Sequence, residues 1–395
     1  MDKRQIQLSV PNLDIEILNN LRECIETGWI STGGRFIAEF EHKIADYVGT
    51  KDAVSVQSGT AALHVALRIL GVEAGDEVIV PTLTFIGAVN PVKYLGAEPI
   101  FMDCDDSLCI DAAKLERFCS ENCHYNGKEL INGKTGKKIK AIVIVHVFGN
   151  LADMEKVMDV ALKYNLKVLE DATEALGSYF TEGKYKGCFA GTIGDMGAYS
   201  FNANKIITTG GGGMLVSNNQ LHLDEARYLT ITAKNTSPNE ALFFVHDEVG
   251  YNYRMLNLQA ALGVSQLERL EQFIKAKNYN YKIYKEELKG VNGIDILPFR
   301  NEIRSNHWFY SLFIDDKQFG MNRDMLMYSL IEDGIQCRPV WKLIHTLKPY
   351  LNSQSYEIQK AENYADHILN VPCSTNLTSE EVKLVCQLIK DKAIK

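Results

Sequence analysis

The sequence has no run approaching roughly 18 uninterrupted apolar residues, and its opening Met1-Asp2-Lys3-Arg4-Gln5-Ile6 lacks the apolar stretch and small-residue cleavage site of a secretory signal. These absences exclude the usual signs of a spanning helix or an exported chain, so a cytoplasmic protein with no membrane partner is expected. A disulfide framework is also missing. The nine cysteines are odd in number and spread over both halves, which favours reduced thiols. Cys119, Cys123 and His124 come closest to a metal-binding group, but no second ligand pair follows at similar spacing. We read them as part of a polar loop and expect no metal. There is no excess of positive charge: 42 Lys+Arg against 50 Asp+Glu leave −8, with the acids scattered, which argues against a nucleic-acid partner.

What is present is the composition of a packed globular protein, 46% hydrophobic and 23% charged, without disordered, collagen-like or repeat character. At 395 residues the chain is too long for one ordinary core. Short apolar runs alternate with amphipathic stretches from about residue 50 to 216, predicting strands over 53–56, 77–80, 99–102, 141–145, 167–169, 196–200 and 213–216. Helices are predicted over 60–70, 86–94, 154–164 and 257–274. Most connections are long enough for crossovers, so an α/β fold with a mainly parallel seven-stranded sheet is expected, the last two strands being free to run differently. The Asn-, Gly- and Lys-rich stretch 122–140 reads as an exposed insertion. After Tyr251 the pattern changes to a long helical run, a strand over 308–314 and helices over 325–333 and 380–392. We therefore expect a large domain over 1–250 and a smaller C-terminal α+β domain over 251–395.

Three motifs carry chemistry. In Gln57-Ser58-Gly59-Thr60-Ala61 a strand gives way to a helix, and the small residues let backbone N–H groups approach a phosphate at Gly59 and Thr60. An ordinary helix cap reads equally from these residues. Lys167-Val168-Leu169-Glu170-Asp171 is an apolar strand ending in carboxylates at the edge where open parallel sheets bind ligands. Asp171 there can hold a pyridinium nitrogen protonated, with Glu174 one turn on; a solvated strand-end acid is the plainer alternative. In Ser200-Phe201-Asn202-Ala203-Asn204-Lys205, followed by Ile206-Ile207-Thr208-Thr209 and four glycines, a lysine closely follows a strand end. Partial desolvation frees such an amine to form an imine with a carbonyl cofactor, and Ser200 can donate to the same phosphate. The glycine run lacks the spacing of a dinucleotide fingerprint and opens no helix, which argues against a nicotinamide dehydrogenase.

The order of these motifs, from Gly28-Trp29-Ile30-Ser31-Thr32-Gly33 through Thr84-Phe85-Ile86 to Arg338-Pro339-Val340-Trp341 and His345, resembles the sugar aminotransferases of the DegT/DnrJ/EryC1/StrS family over nearly the whole chain. The resemblance implies a fold-type I aminotransferase dependent on pyridoxal 5'-phosphate (PLP), alternating with pyridoxamine phosphate (PMP). It implies that Lys205 bears the cofactor and moves the proton, Asp171 meets the pyridine nitrogen, and Phe85 lies against the ring. Ser200, Gly59 and Thr60 would bind the phosphate, joined by Asn252 of a neighbouring subunit, so a homodimer with shared sites is implied. Trp29, Ser31, Trp341 and His345 fall in segments that border the sugar nucleotide in similar proteins, though each is equally readable as packing. His64 and His146 are assigned to structure.

One departure concerns Glu174, where many members carry Gln. Lysine at 205, in place of the histidine of dehydrating relatives, implies transamination. Glutamate is the implied donor and a nucleotide-linked keto-sugar the acceptor. Thr173-Glu174-Ala175-Leu176-Gly177 and the polar stretch 126–138 look most like the branch that aminates C4 of a UDP-linked 2-acetamido-2,6-dideoxy-4-keto-hexose for legionaminic-type nonulosonic acids. The competing branch aminates a GDP-linked 4-keto-6-deoxymannose, as perosamine synthases do. A non-catalytic PLP-binding regulator on the same fold is a third reading, disfavoured by the retained Lys205, Asp171 and Ser200.

Overall fold

Strands such as Glu77–Pro81 and Gly213–Ser217 are buried along their whole length, which is the signature of a sheet covered on both faces. In the computed structural model, which describes residues 5–237, 240 and 243–393, all seven expected strands lie in one row. The order is Asp52–Val56, Gly213–Ser217, Met196–Ser200, Lys167–Asp171, Lys138–Val145, Glu77–Pro81, Glu98–Met102. Of the two strands left free in direction, only Gly213–Ser217 runs against its neighbours; Met196–Ser200 is parallel to Lys167–Asp171. An eighth strand, Gln354–Tyr356, returns from the C-terminal part and pairs in parallel with Glu98–Met102.

Register decides what meets at the site. Gly213 pairs with both Val56 and Ser200, so the turn after Val56 stands beside Ser200. A Cβ on Gly213 would lie 2.5 Å from the Ser58 carbonyl oxygen, so only glycine fits this crossing of strand and turn. Asp171 pairs with Ala198, one strand further along.

Local chemistry accounts for the helices. Ser58 caps Gly59–Ile69 by accepting from the Ala61 N–H at 3.0 Å. The stretch predicted as one helix over 86–94 is a 3-10 turn, Ile86–Ala88, followed by Asn90–Tyr94, with Pro91 in the first turn, where its missing N–H is harmless. The run 257–274 is likewise divided at Arg269 into Asn257–Glu268 and Leu270–Glu287. The insertion predicted over 122–140 is largely exposed, as expected, but it carries regular structure. It is a hairpin, Cys123–Tyr125 with Leu130–Asn132, that pairs onto Lys138–Val145. Leu130 and Asn132 are buried, and the Asn132 amide donates to Glu77 at 2.7 Å.

The C-terminal part holds a four-stranded antiparallel sheet in the order Ile294–Ile296, Tyr310–Ile314, Ile368–Val371, Arg338–Pro339. Helix Ser379–Asp391 packs on Leu270–Glu287. The chain on either side of residue 251 is interwoven: Asn257–Glu268 packs on Ile17–Thr27 and Arg35–Val48, while Ile6 bridges to Ile335. Among the described residues no helix is long and apolar enough to cross a membrane.

One buried acid, Glu41, ties four stretches of the chain together. Glu41 accepts from the Ser55 N–H and hydroxyl at 2.7 and 2.8 Å, and from Arg254 and Arg227 at 2.6 and 2.9 Å. Removing it leaves two guanidinium groups without their main counter-charge. Glu41→Ala is expected to lower the unfolding free energy by about 3 kcal/mol, read from urea denaturation; an unchanged midpoint would contradict the role given to this acid.

Candidate active site

Met196–Ser200 ends at the sheet's ligand-binding edge, and the turn that follows, closed by the Lys205 N–H donating to the Asn202 carbonyl at 3.0 Å, swings Lys205 back over it. Its amine lies 3.8 Å from Oε1 of Glu174 and 3.9 Å from the centroid of the Trp308 ring. Burial pushes the amine's pKa down, while the charges of Glu174 and Asp171 draw it back up. Burial also lifts the Glu174 carboxyl from 4.5 to about 7, against the pull of Lys205 and of the Phe148 N–H, which donates to Oε2 at 2.8 Å. Asp171 is shifted upward by burial too, and the Thr173 N–H meets its Oδ1 at 3.0 Å.

Behind Asp171 sits a buried pair. His146 Nδ1 accepts from the Ala152 N–H at 3.2 Å, which places the ring proton on Nε2, 2.8 Å from Glu170. Glu170 also accepts the N–H groups of Gly191, Ile193 and Gly194 at 2.9, 2.6 and 2.5 Å. The His146 backbone N–H donates to the Asp171 carbonyl at 3.1 Å. His146 is structural, as read from sequence, and its partner is the residue next to Asp171.

These groups surround a cavity of about 430 Å³. Gly59, Thr60, Phe85, Asp171, Glu174, Ser200, Lys205 and Trp341 line it together, as the sequence reading requires of one site. Gly59 belongs to a tight cradle: a Cβ there would stand 2.9 Å from Ser200 Cβ and 3.0 Å from Thr173 Cγ2. The first-turn N–H groups of Gly59 and Thr60 have no acceptor within the helix, and both residues line this space. Phe85 remains 56% exposed, its ring available as a wall for a flat ligand.

Four expected residues are not brought to this cavity. Asn252 is exposed and bridges Ile231 through its backbone. Trp29 is 62% exposed and borders a separate hollow with Glu23 and Arg35. The carbonyls of Trp29 and Ser31 accept from Asn257 at 2.6 and 2.7 Å, which pins that segment at the surface. His345 Nδ1 lies 2.7 Å from the Thr82 hydroxyl, outside the cavity lining. Sequence reasoning in turn missed Trp308, treated only as the start of a strand, together with Thr173, Asn202 and Asn204 at the cavity. No spacing ties residue 308 to 205. The one available signal is scarcity, since the chain has three tryptophans.

The donor set fits PLP: an amine for its aldehyde, a buried acid for its pyridine nitrogen, and free helix-end N–H groups beside a serine for its phosphate. The Glu174 shift also has a consequence for the cofactor-free protein. Above pH 4.5 the unfolded chain releases a proton that the folded chain retains up to about pH 7, so the stability this group contributes declines as pH rises through that window. Glu174→Gln removes the slope. Between about pH 5 and pH 7 the wild type is expected to lose unfolding free energy relative to the variant in urea titrations; parallel pH curves would contradict this assignment.

Residues 11–390 match the DegT/DnrJ/EryC1/StrS aminotransferase family. The chain is 37% identical over 387 residues to a GDP-perosamine synthase of Caulobacter vibrioides, covering 97% of both chains. It is 35% identical over 387 residues to that of Vibrio cholerae, covering 96% of this chain and 97% of the other. Among solved structures, the aminotransferase TlmJ from Streptoalloteichus hindustanus superposes with a TM-score of 0.87 at 26% identity, covering 98% of this chain and 99% of that one. With a lysine, a buried acid and a phosphate cradle gathered in one cavity and likeness along its full length, this chain belongs to the DegT/DnrJ/EryC1/StrS family as a PLP-dependent sugar aminotransferase.

Proposed function

We propose that the chain transfers an amino group from glutamate to C4 of GDP-linked 4-keto-6-deoxymannose, within a homodimer that shares its active sites. The observation that carries the amine chemistry is Lys205, held beside Glu174 and Asp171 in one cavity. The nucleotide is argued from full-length likeness to GDP-perosamine synthases, which shifts the preference away from the UDP-linked sugar of the legionaminic-type branch.

When bound, PLP supplies an electron sink for the carbanion formed at the substrate carbon. The chain supplies position and protons. Lys205 would move a proton between the substrate carbon and the C4′ carbon of the cofactor, in opposite directions in the two halves of the reaction, and its fixed place in the cavity would replace a bimolecular encounter. Glu174 suits the part of proton partner: Oε2 is held by the Phe148 N–H, while Oε1 faces the amine. Asp171 presents a negative charge to the pyridine nitrogen in a dry setting, where that charge acts most strongly. Gly59, Thr60 and Ser200 anchor the phosphate. Trp341, on the cavity wall, packs against Phe148 in a tilted arrangement with ring centroids 4.9 Å apart, which fixes that side of the wall. Asn252, exposed in the single chain, is available to a neighbouring copy's phosphate.

Lys205→Ala is expected to abolish turnover in both directions, measured as loss of glutamate-dependent amination; retained activity would sink this reading. Offered a panel of keto-sugars, the PMP form is expected to regain the PLP absorbance with the GDP-linked sugar. Recovery with the UDP-linked sugar alone would return the assignment to the other branch. A mixture of inactive Lys205→Ala and weakened Asn252→Ala chains, allowed to exchange subunits, is expected to regain activity above either parent if sites are shared.

A further inference from the structure

The ring of Trp308 meets the Lys205 amine, and it reaches it from the C-terminal half of the chain. The residue is tied down through its indole N–H and through its backbone N–H and carbonyl. The indole N–H donates to the Asn204 carbonyl at 2.8 Å, one residue before the lysine. The Trp308 backbone N–H donates to Asn306 Oδ1 and to the Phe148 carbonyl at 3.0 and 3.1 Å. Its carbonyl accepts from the amine of Lys277 at 2.8 Å, a buried lysine whose other acceptor is the Cys373 carbonyl at 2.6 Å. Phe309 packs edge-on against the ring at 4.3 Å, and the residue as a whole is only 3% exposed. A ring held this firmly cannot yield to the lysine, so the lysine must conform to the ring.

We propose that Trp308 is the positioning residue for Lys205: the face of its indole holds the amine on the cavity side and favours the protonated form whenever the lysine is not joined to the cofactor. This rests on the reading of Lys205 as the cofactor-bearing lysine. An ammonium 3.9 Å from an indole centroid lies well inside the range of a cation–π contact, which strengthens where water is excluded. The lysine is enclosed on two sides. Glu174 and Asp171 face it from the end of Lys167–Asp171 and the loop beyond, and the ring faces it from the segment leading into Tyr310–Ile314. The other cation nearby, Lys277 of Leu270–Glu287, bonds the Trp308 carbonyl and borders a small polar space with Lys205, and burial favours its neutral form. Burial pushes Lys205 toward its neutral form. The ring face opposes that push without adding a third acid to a pocket that already holds two. It also keeps the amine from swinging away between half-reactions, when no covalent bond restrains it.

The test uses the PMP form of the holoenzyme, in which the Lys205 amine is free. Brief acetylation with acetic anhydride at a series of pH values, read at the Lys205 peptide by mass spectrometry, reports the fraction of unprotonated amine. Trp308→Leu is expected to move the labelling transition to lower pH, while Trp308→Phe, which keeps a ring face and loses the indole N–H, stays close to wild type. Superimposable wild-type and Trp308→Leu profiles would overturn the proposal. So would a Trp308→Phe shift as large as that of Trp308→Leu, because the N–H anchor and not the face would then carry the effect. Should Trp308→Leu fail to fold, the wild type decides: in fluorotryptophan-labelled holoenzyme the ¹⁹F resonance of Trp308 is expected to titrate together with Lys205 labelling and to stop doing so in Lys205→Ala. A resonance that stays fixed while the lysine titrates rejects the contact. Turnover by Lys205→Ala would instead reject the functional reading beneath it, so the two failures are distinguishable.

Discussion

Burying one amine and two carboxylic acids side by side in one cavity is the constraint around which this molecule is arranged. Each group is costly to bury as an isolated charge, and each is only partly compensated by the others. Burial drives the Lys205 amine and the Glu174 and Asp171 carboxyls toward their neutral forms, and mutual attraction opposes it. The result is a set of groups whose proton affinities are drawn together, which suits proton exchange at ordinary pH. A pocket filled with apolar side chains would be easier to fold. It would have no means of moving a proton.

The scaffold bears that cost through contacts that do not themselves touch a ligand. Sheet register sets Ser200, Gly213 and the turn at Gly59 side by side, and glycine at 59 and 213 allows the backbones to approach. Glu170 points away from the cavity, binding His146 and three loop N–H groups, so the strand end carrying Asp171 is braced from behind. From the C-terminal half, Trp308 and Trp341 complete the wall. The site is therefore built at the meeting of two parts of the chain that fold around one continuous apolar core.

Much of this was legible in the residues. The seven strands were marked by apolar runs, and Gly59, Asp171 and Lys205 by their places at strand ends, because a parallel sheet flanked by helices leaves ligand chemistry at one edge. The hairpin over 123–132 was hidden by its Asn, Gly and Lys content: its inward residues are Leu130 and Asn132, too few to establish an alternation. Trp308 was hidden for a different reason. Its contact with Lys205 spans about a quarter of the chain and arises only when the two parts pack together, so no local pattern encodes it. Trp29, Ser31 and Asn252 lie at the surface of the single chain, away from the cavity, so the fold of one chain does not tie them to Lys205.

The most direct measurement is the location of the covalent tag left when the PLP-loaded protein is reduced with borohydride and digested. The account requires a phosphopyridoxyl group on the peptide containing Lys205. A tag on Lys277 or any other lysine, or no tag at all, would contradict it.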